Sequence, residues 1–311
     1  MSRRWQVIPL DAAGYGSSND PAWCRVDWSS HERTTKVAGR SVHYVDIGEG
    51  GTPCLFLHGI GNSWRFWLET LPRLAERRRV LAVDLPGFGE SHMPDGPLTA
   101  AAVARTIDQL CEQLGITRVA MCGHSMGGLA ALQMAADHPE RVEKLILVGA
   151  ALISVTDLYR GPLGPLRQPR LALTYASAVL TAAVPTPSWI SNAIAGSKLA
   201  RNAFLRTYVT HPLALSTPVL RQALRGLGRP GVLAAVLNRE RFNLRGVGRQ
   251  VKVSVLLVNG DQDRFSLVRD VELLAGEMHE AEVVVLEDTG HWPMLERPDV
   301  FNQVLEDFLG S

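Results

Sequence analysis

The sequence predicts an α/β fold: a mostly parallel, eight-stranded sheet with helices on both faces and an inserted helical cap. Three observations carry this expectation. Short apolar, β-branched runs alternate with stretches of helical period between residues 34 and 148, the pattern of a parallel sheet covered on both sides. The alternation breaks over 152–244 and resumes at 253. At 311 residues, 46% of them hydrophobic and 20% charged, the chain is globular and long enough for one core plus an insertion.

Residues 1–32 mix Gly, Ser, Asn and Asp with Trp5, Tyr15, Trp23 and Trp28 and show no period; they read as an extension that docks by its aromatics. Runs at 34–37 and 41–47 flank Ala38-Gly39-Arg40 and predict an antiparallel hairpin. Runs at 54–57, 80–83, 119–122, 145–148, 253–258 and 283–286 are almost continuously apolar, as strands buried on both faces are. Helices are expected at 63–75, 99–114, 126–138, 267–275 and 299–309. The domain reading is therefore an extension (1–32), a sheet core (33–151 and 245–311) and a helical cap (152–244). The cap is rich in Ala, Leu, Arg and Pro, with helical patterns at 188–195, 201–209 and 219–227. Its most apolar stretch, 171–184, is shorter than the roughly 20 residues of a membrane-spanning helix and reads as a buried cap helix.

Lys plus Arg number 32 and Asp plus Glu 31, a net charge of +1. That balance supplies no overall field to gather nucleic acid or anionic lipid. Cys24, Cys54, Cys111 and Cys122 lack CxxC spacing, so buried free thiols are expected, with no metal, cofactor or disulfide framework. Two arginines open the chain in MSRRW, but no apolar stretch follows them; without an export signal, the expected compartment is the cytoplasm.

The strongest chemical signal is Gly123-His124-Ser125-Met126-Gly127-Gly128, between a predicted strand and a predicted helix. A serine at such a turn is forced into a strained backbone that lifts its hydroxyl clear of the sheet. A serine hydroxyl needs a base, and the base needs a carboxylate to hold it. His291, in the loop after the last predicted strand, is the candidate base. Asp263 is the candidate acid over Asp261, both in the loop that follows 253–258; the reading for Asp261 is a turn former. The oxyanion donors are expected to be the backbone N–H groups of Met126 and of Ile60, in His58-Gly59-Ile60-Gly61. His58, Trp64 and Trp292 are candidate pocket walls, and Arg65 a residue that either meets a substrate carboxylate or is simply solvated.

In their order these motifs resemble the α/β-hydrolase fold superfamily over about residues 34–310, in particular its capped esterase, lipase and C–C hydrolase branch. The resemblance rests on HGIG at 58–61, DLPGFGES at 84–91, GHSMGG at 123–128, GDQD at 260–263 and GHW at 290–292. It implies the order nucleophile, acid, base for Ser125, Asp263 and His291. Epoxide hydrolases and haloalkane dehalogenases of this fold carry Asp at the nucleophile position and usually HGxP at the oxyanion loop, unlike Ser125 and HGIG here. Meta-cleavage C–C hydrolases share GHW and SMGG but usually have Asn where His124 stands.

The expected function is a serine hydrolase that cleaves a small hydrophobic carboxylic ester through an acyl-enzyme on Ser125. The rivals are C–C bond hydrolysis, acyl transfer or perhydrolysis by the same residues, and a non-catalytic ligand receptor of the same fold.

Overall fold

The computed structural model describes residues 3–10, 14–16, 20–158, 163–237 and 245–310. Its nine strands are β1 (Arg3–Ile8), β2 (Glu32–Val37), β3 (Arg40–Ile47), β4 (Cys54–Leu57), β5 (Val80–Val83), β6 (Val119–His124), β7 (Val142–Val148), β8 (Ser254–Gly260) and β9 (Ala281–Leu286). They form one sheet in the order β1-β9-β8-β7-β6-β4-β5-β3-β2. β3 runs antiparallel to β2 and β5, and every other neighbouring pair is parallel. The β2–β3 hairpin turns on Ala38 and Gly39, with φ of 47° and 78°, the paired positive φ values of a tight two-residue hairpin.

The sheet has one strand more than the eight expected. β1 lies at its edge and pairs with β9 from Arg3 opposite Ala281 to Ile8 opposite Leu286. Trp5 and Val7 stay exposed on it, so backbone pairing, not burial, forms the strand, and no apolar run announces it. The extension also docks by its aromatics: Trp23 is buried and donates to Glu69 at 2.8 Å, and Trp28 packs 5.2 Å from Trp64.

The helices are α1 (Leu71–Ala75), α2 (Ala100–Gln113), α3 (Met126–Asp137), α4 (Ile153–Asp157), α5 (Gly164–Arg167), α6 (Pro169–Ala183), α7 (Ser188–Gly196), α8 (Lys198–Leu205), α9 (Thr217–Ala223), α10 (Pro230–Leu237), α11 (Val268–Glu277), α12 (Pro293–Glu296) and α13 (Pro298–Gly310). Strand side chains alternate between two apolar layers. Leu55 and Leu57 join Ile107 of α2, Leu132 of α3 and Leu274 of α11; Cys54 and Phe56 join Leu71 of α1 and Phe301 of α13. The helix expected at 63–75 divides into a 3-10 turn (Trp64–Trp67) and α1. Pro72 explains the break, since it has no N–H to continue the ladder and is tolerated only in a first helical turn.

Helices α4–α10 lie between β7 and β8, where the cap was expected; its expected end at Leu244 falls outside the described residues. The stretch read as a buried cap helix is only half buried. In α6, Leu171, Ala178 and Ala182 are buried, whereas Leu173 is 72% and Leu180 68% exposed. Leucines stand on more than one side of the helix, but only the side bearing Leu171, Ala178 and Ala182 is covered. Cys54, Cys111 and Cys122 are buried free thiols, and Cys24 is exposed.

Candidate active site

Ser125 sits between β6 and α3 with φ 52° and ψ −121°, a region that costs a non-glycine residue on the order of 1–3 kcal/mol. Close packing holds the turn there. A Cβ on Gly127 would lie 2.4 Å from the His58 carbonyl oxygen and 2.5 Å from that of Leu57, so glycine alone lets α3 start against the end of β4. The Ser125 N–H donates to the Val148 carbonyl at 2.9 Å. The Met126 and Ile60 N–H groups, on the first turn of α3 and the loop after β4, find no acceptor among the described residues.

The loop after β8 brings Asp263 to His291, Oδ2 to Nδ1, at 2.7 Å. The other carboxylate oxygen accepts from the N–H groups of Phe265 at 2.8 Å and Ser266 at 3.0 Å. Both Asp263 and His291 are buried. With Nδ1–H given to Asp263, the His291 tautomer leaves Nε2 as an acceptor. Ser125 and His291 line the same cavity, but no hydrogen bond joins them among the described residues; such contacts commonly tighten only when substrate is bound. Asp261 points elsewhere, accepting from Thr289 N–H at 3.2 Å.

Two further histidines flank these groups. His124 donates from Nε2 to the His291 carbonyl at 2.8 Å, its ring 4.7 Å from that of His291. Burial, with the neighbouring His291 imidazole adding to it, holds its pKa well below the ordinary value, so it stays neutral beside His291. His58 donates from Nδ1 to the Gly59 carbonyl at 2.7 Å and accepts from Leu85 N–H at 3.0 Å; burial lowers its pKa too. Both ring nitrogens are spent on backbone.

The cavity beside Ser125 is lined mainly by apolar side chains, among them Leu129, Val155, Ala178, Val179, Phe204 and Leu227. α6, α8, α10 and the 223–227 segment supply much of its wall. Of the three side chains expected as walls, Trp292 lines it and His58 and Trp64 do not. His58 is locked between two loops as described. The Trp64 backbone is drawn to Asp84 by an N–H to Oδ1 bond of 2.7 Å, and its ring packs against Trp28. Arg65 lies over the Trp64 ring at 4.6 Å and pairs with Glu32 at 3.2 Å, away from the cavity.

Glu296 escaped the sequence reading. Fully buried in the short α12, it accepts from the N–H groups of Gly290 and Thr210 at 2.9 Å and of Trp292 at 3.0 Å, and from the Tyr15 hydroxyl at 2.5 Å. Burial pushes its carboxyl up despite these hydrogen bonds. The His291 N–H in turn donates to the Tyr208 carbonyl at 2.6 Å, and the Tyr208 ring stacks on Trp292 at 5.1 Å. One carboxylate thus ties the His291 loop to the extension and to the 208–211 segment. Nothing in its spacing from His291 marks the residue as buried; only the fold does.

Among the described residues, one group, Glu32, His43 and Glu90, brings possible metal-ligand atoms within 4.8 Å of one another. Two of its members are already engaged, His43 with Asp84 at 2.9 Å and Glu32 with Arg65. No helix among the described residues is long and apolar enough to cross a membrane.

A strained serine at a strand-to-helix turn of a mostly parallel sheet, opposite a histidine and carboxylate on later loops, defines a class of fold and site. The chain belongs to the α/β hydrolase fold family, whose model matches residues 52–298. It is 27% identical to a 2-hydroxy-6-oxononadienedioate/2-hydroxy-6-oxononatrienedioate hydrolase of Pseudomonas, covering 86% of this chain and 92% of that one. It is also 27% identical to mouse epoxide hydrolase 4, covering 88% and 77% respectively. The enol-lactonase of Burkholderia xenovorans LB400 superposes with a TM-score of 0.68 at 24% identity, over 90% of this chain and all of that one, a likeness of fold. Hydrolases thus recur among its relatives.

Proposed function

We propose that the protein is a serine hydrolase that cleaves a carboxylic ester carrying a hydrophobic group. One observation carries the reading: a serine at φ 52° shares a cavity with a histidine whose Nδ1 is 2.7 Å from a buried aspartate. His291 Nε2 takes the Ser125 proton as Oγ attacks the carbonyl carbon. The N–H groups of Ile60 and Met126 hold the resulting oxyanion, each worth about 2.7–4 kcal/mol. As the tetrahedral intermediate collapses, the bond to the leaving oxygen breaks and His291 returns its proton to the departing alcohol. Water then attacks the acyl-enzyme, again losing a proton to His291, and the acid leaves as Ser125 Oγ regains that proton. Asp263 keeps the imidazole in one tautomer and stabilises its cation throughout.

Residues 152–244 act as the cap in this reading, and the apolar wall they contribute favours a hydrophobic acyl or alcohol group. Ser125, where epoxide hydrolases of this fold carry Asp, favours acyl chemistry over epoxide opening. The similarity to the Pseudomonas dienedioate hydrolase supports a second reading, C–C bond hydrolysis with the same three residues. Turnover of p-nitrophenyl esters by wild type, lost in Ser125→Ala, supports the ester reading. Activity unchanged in Ser125→Ala overturns it, and rapid cleavage of a vinylogous diketone with negligible esterase activity favours the C–C reading.

A further inference from the structure

The net charge of +1 conceals a strong division. Residues 163–237 contain eight Lys/Arg and no Asp or Glu, which leaves a net charge of −7 on the rest of the chain. Of the eight, only Arg201 is buried, and it is spent inside the cap on the carbonyls of Ala195 and Leu215 and the hydroxyl of Thr217. The other seven are exposed, and none forms an ion pair among the described residues. The same quarter of the chain carries ten of the fourteen large hydrophobic residues exposed among the described residues. Isolated exposed leucines need no explanation, but a concentration of them marks a surface that meets something.

The geometry makes this a face. α6 turns Tyr175, Ala178 and Ala182 to the cavity, and α10, packed beside it, turns Ala235 and Val236 the same way. The residues on the opposite sides of these two helices are Leu173, Leu180, Leu233 and Leu237, between 53% and 77% exposed. On α5, which packs against α6, Leu166 is 74% exposed next to the exposed Arg167, and the exposed Arg170 opens α6 one turn before Leu173.

We infer that this outer face of the cap docks peripherally on an anionic phospholipid surface, the leucines entering the headgroup boundary and Arg167 and Arg170 meeting lipid phosphates. An apolar face with a cationic fringe is the composition that suits this mode of binding. Each basic residue held near such a surface strengthens association about fivefold, and salt screens the effect. Charge also separates this occupant from a second copy of the chain, since self-pairing of the face would set its cations against their own kind. The inference goes beyond the proposed ester hydrolysis and does not depend on it.

Sedimentation of the full chain with vesicles tests it. Binding to phosphatidylcholine vesicles containing 30% phosphatidylglycerol should exceed binding to pure phosphatidylcholine by about tenfold or more, and should fall at 0.5 M NaCl. Leu173→Ser/Leu180→Ser and Arg167→Glu/Arg170→Glu should each weaken binding about fivefold or more, with unchanged Tm and unchanged turnover of a soluble ester. Equal or no binding to the two vesicle types overturns the inference. So does a dimer in light scattering that the leucine variant converts to monomer, because the face then belongs to a second copy.

Discussion

The loop that carries His291 and the cap helices that roof the cavity spend their polar groups in opposite ways. Around the loop two buried carboxylates gather the donors: Glu296 collects three N–H groups and a tyrosine hydroxyl, and Asp263 collects two N–H groups and His291. Across 163–237 seven exposed cations face outward with no carboxylate among them, beside leucines left half to mostly exposed. In the proposed reaction the loop holds two side chains still, where misplacing a reacting group by about 1 Å costs on the order of 100-fold in rate. In the proposed reading the cap presents two surfaces, one to the cavity and one outward.

Perturbing each region tests the contrast. Asp263→Asn removes the partner that sets the His291 tautomer, and kcat should fall by about 10⁴-fold with little change in fold; a loss under tenfold would mean that Asp263 serves only the loop. Glu296→Ala strips the acceptor from three N–H groups, and each of the two buried ones, of Gly290 and Trp292, costs about 1–3 kcal/mol when left unpaired. Calorimetry should show Tm lower by about 6 °C or more, together with reduced kcat. A matching change on the cap's outer face, Leu173→Ser, should move Tm by less than about 2 °C; equal shifts would erase the distinction between the two regions. The smallest effect belongs to the cap's inner face. Ala178 is buried and lines the cavity, so Ala178→Leu should raise KM for long acyl esters about tenfold and leave acetate esters unchanged, as a chain-length series would reveal.

How much was legible in the sequence follows from the same physics. Strands buried on both faces leave apolar runs, and the strained serine needs glycines around it, so β4 to β9 and the turn at Ser125 announce themselves. β1 does not, because an edge strand held by backbone bonds needs no particular side chains. Glu296 was illegible because an acid buried by long-range partners looks, in one dimension, like any surface glutamate. Trp64 misled for a related reason: proximity to the oxyanion loop in sequence suggested the cavity, whereas Asp84 and Trp28 turn it away. The net charge misled by averaging, since +1 conceals a basic cap over an acidic remainder.

The central claim is that Ser125 is the nucleophile, and covalent capture reads it most directly. The folded protein, treated with a fluorophosphonate and digested, should yield one phosphonylated peptide by mass spectrometry, with the adduct on Ser125 and labelling much slower in Asp263→Asn. A folded protein that gives no adduct on Ser125, while still hydrolysing esters, would contradict the account.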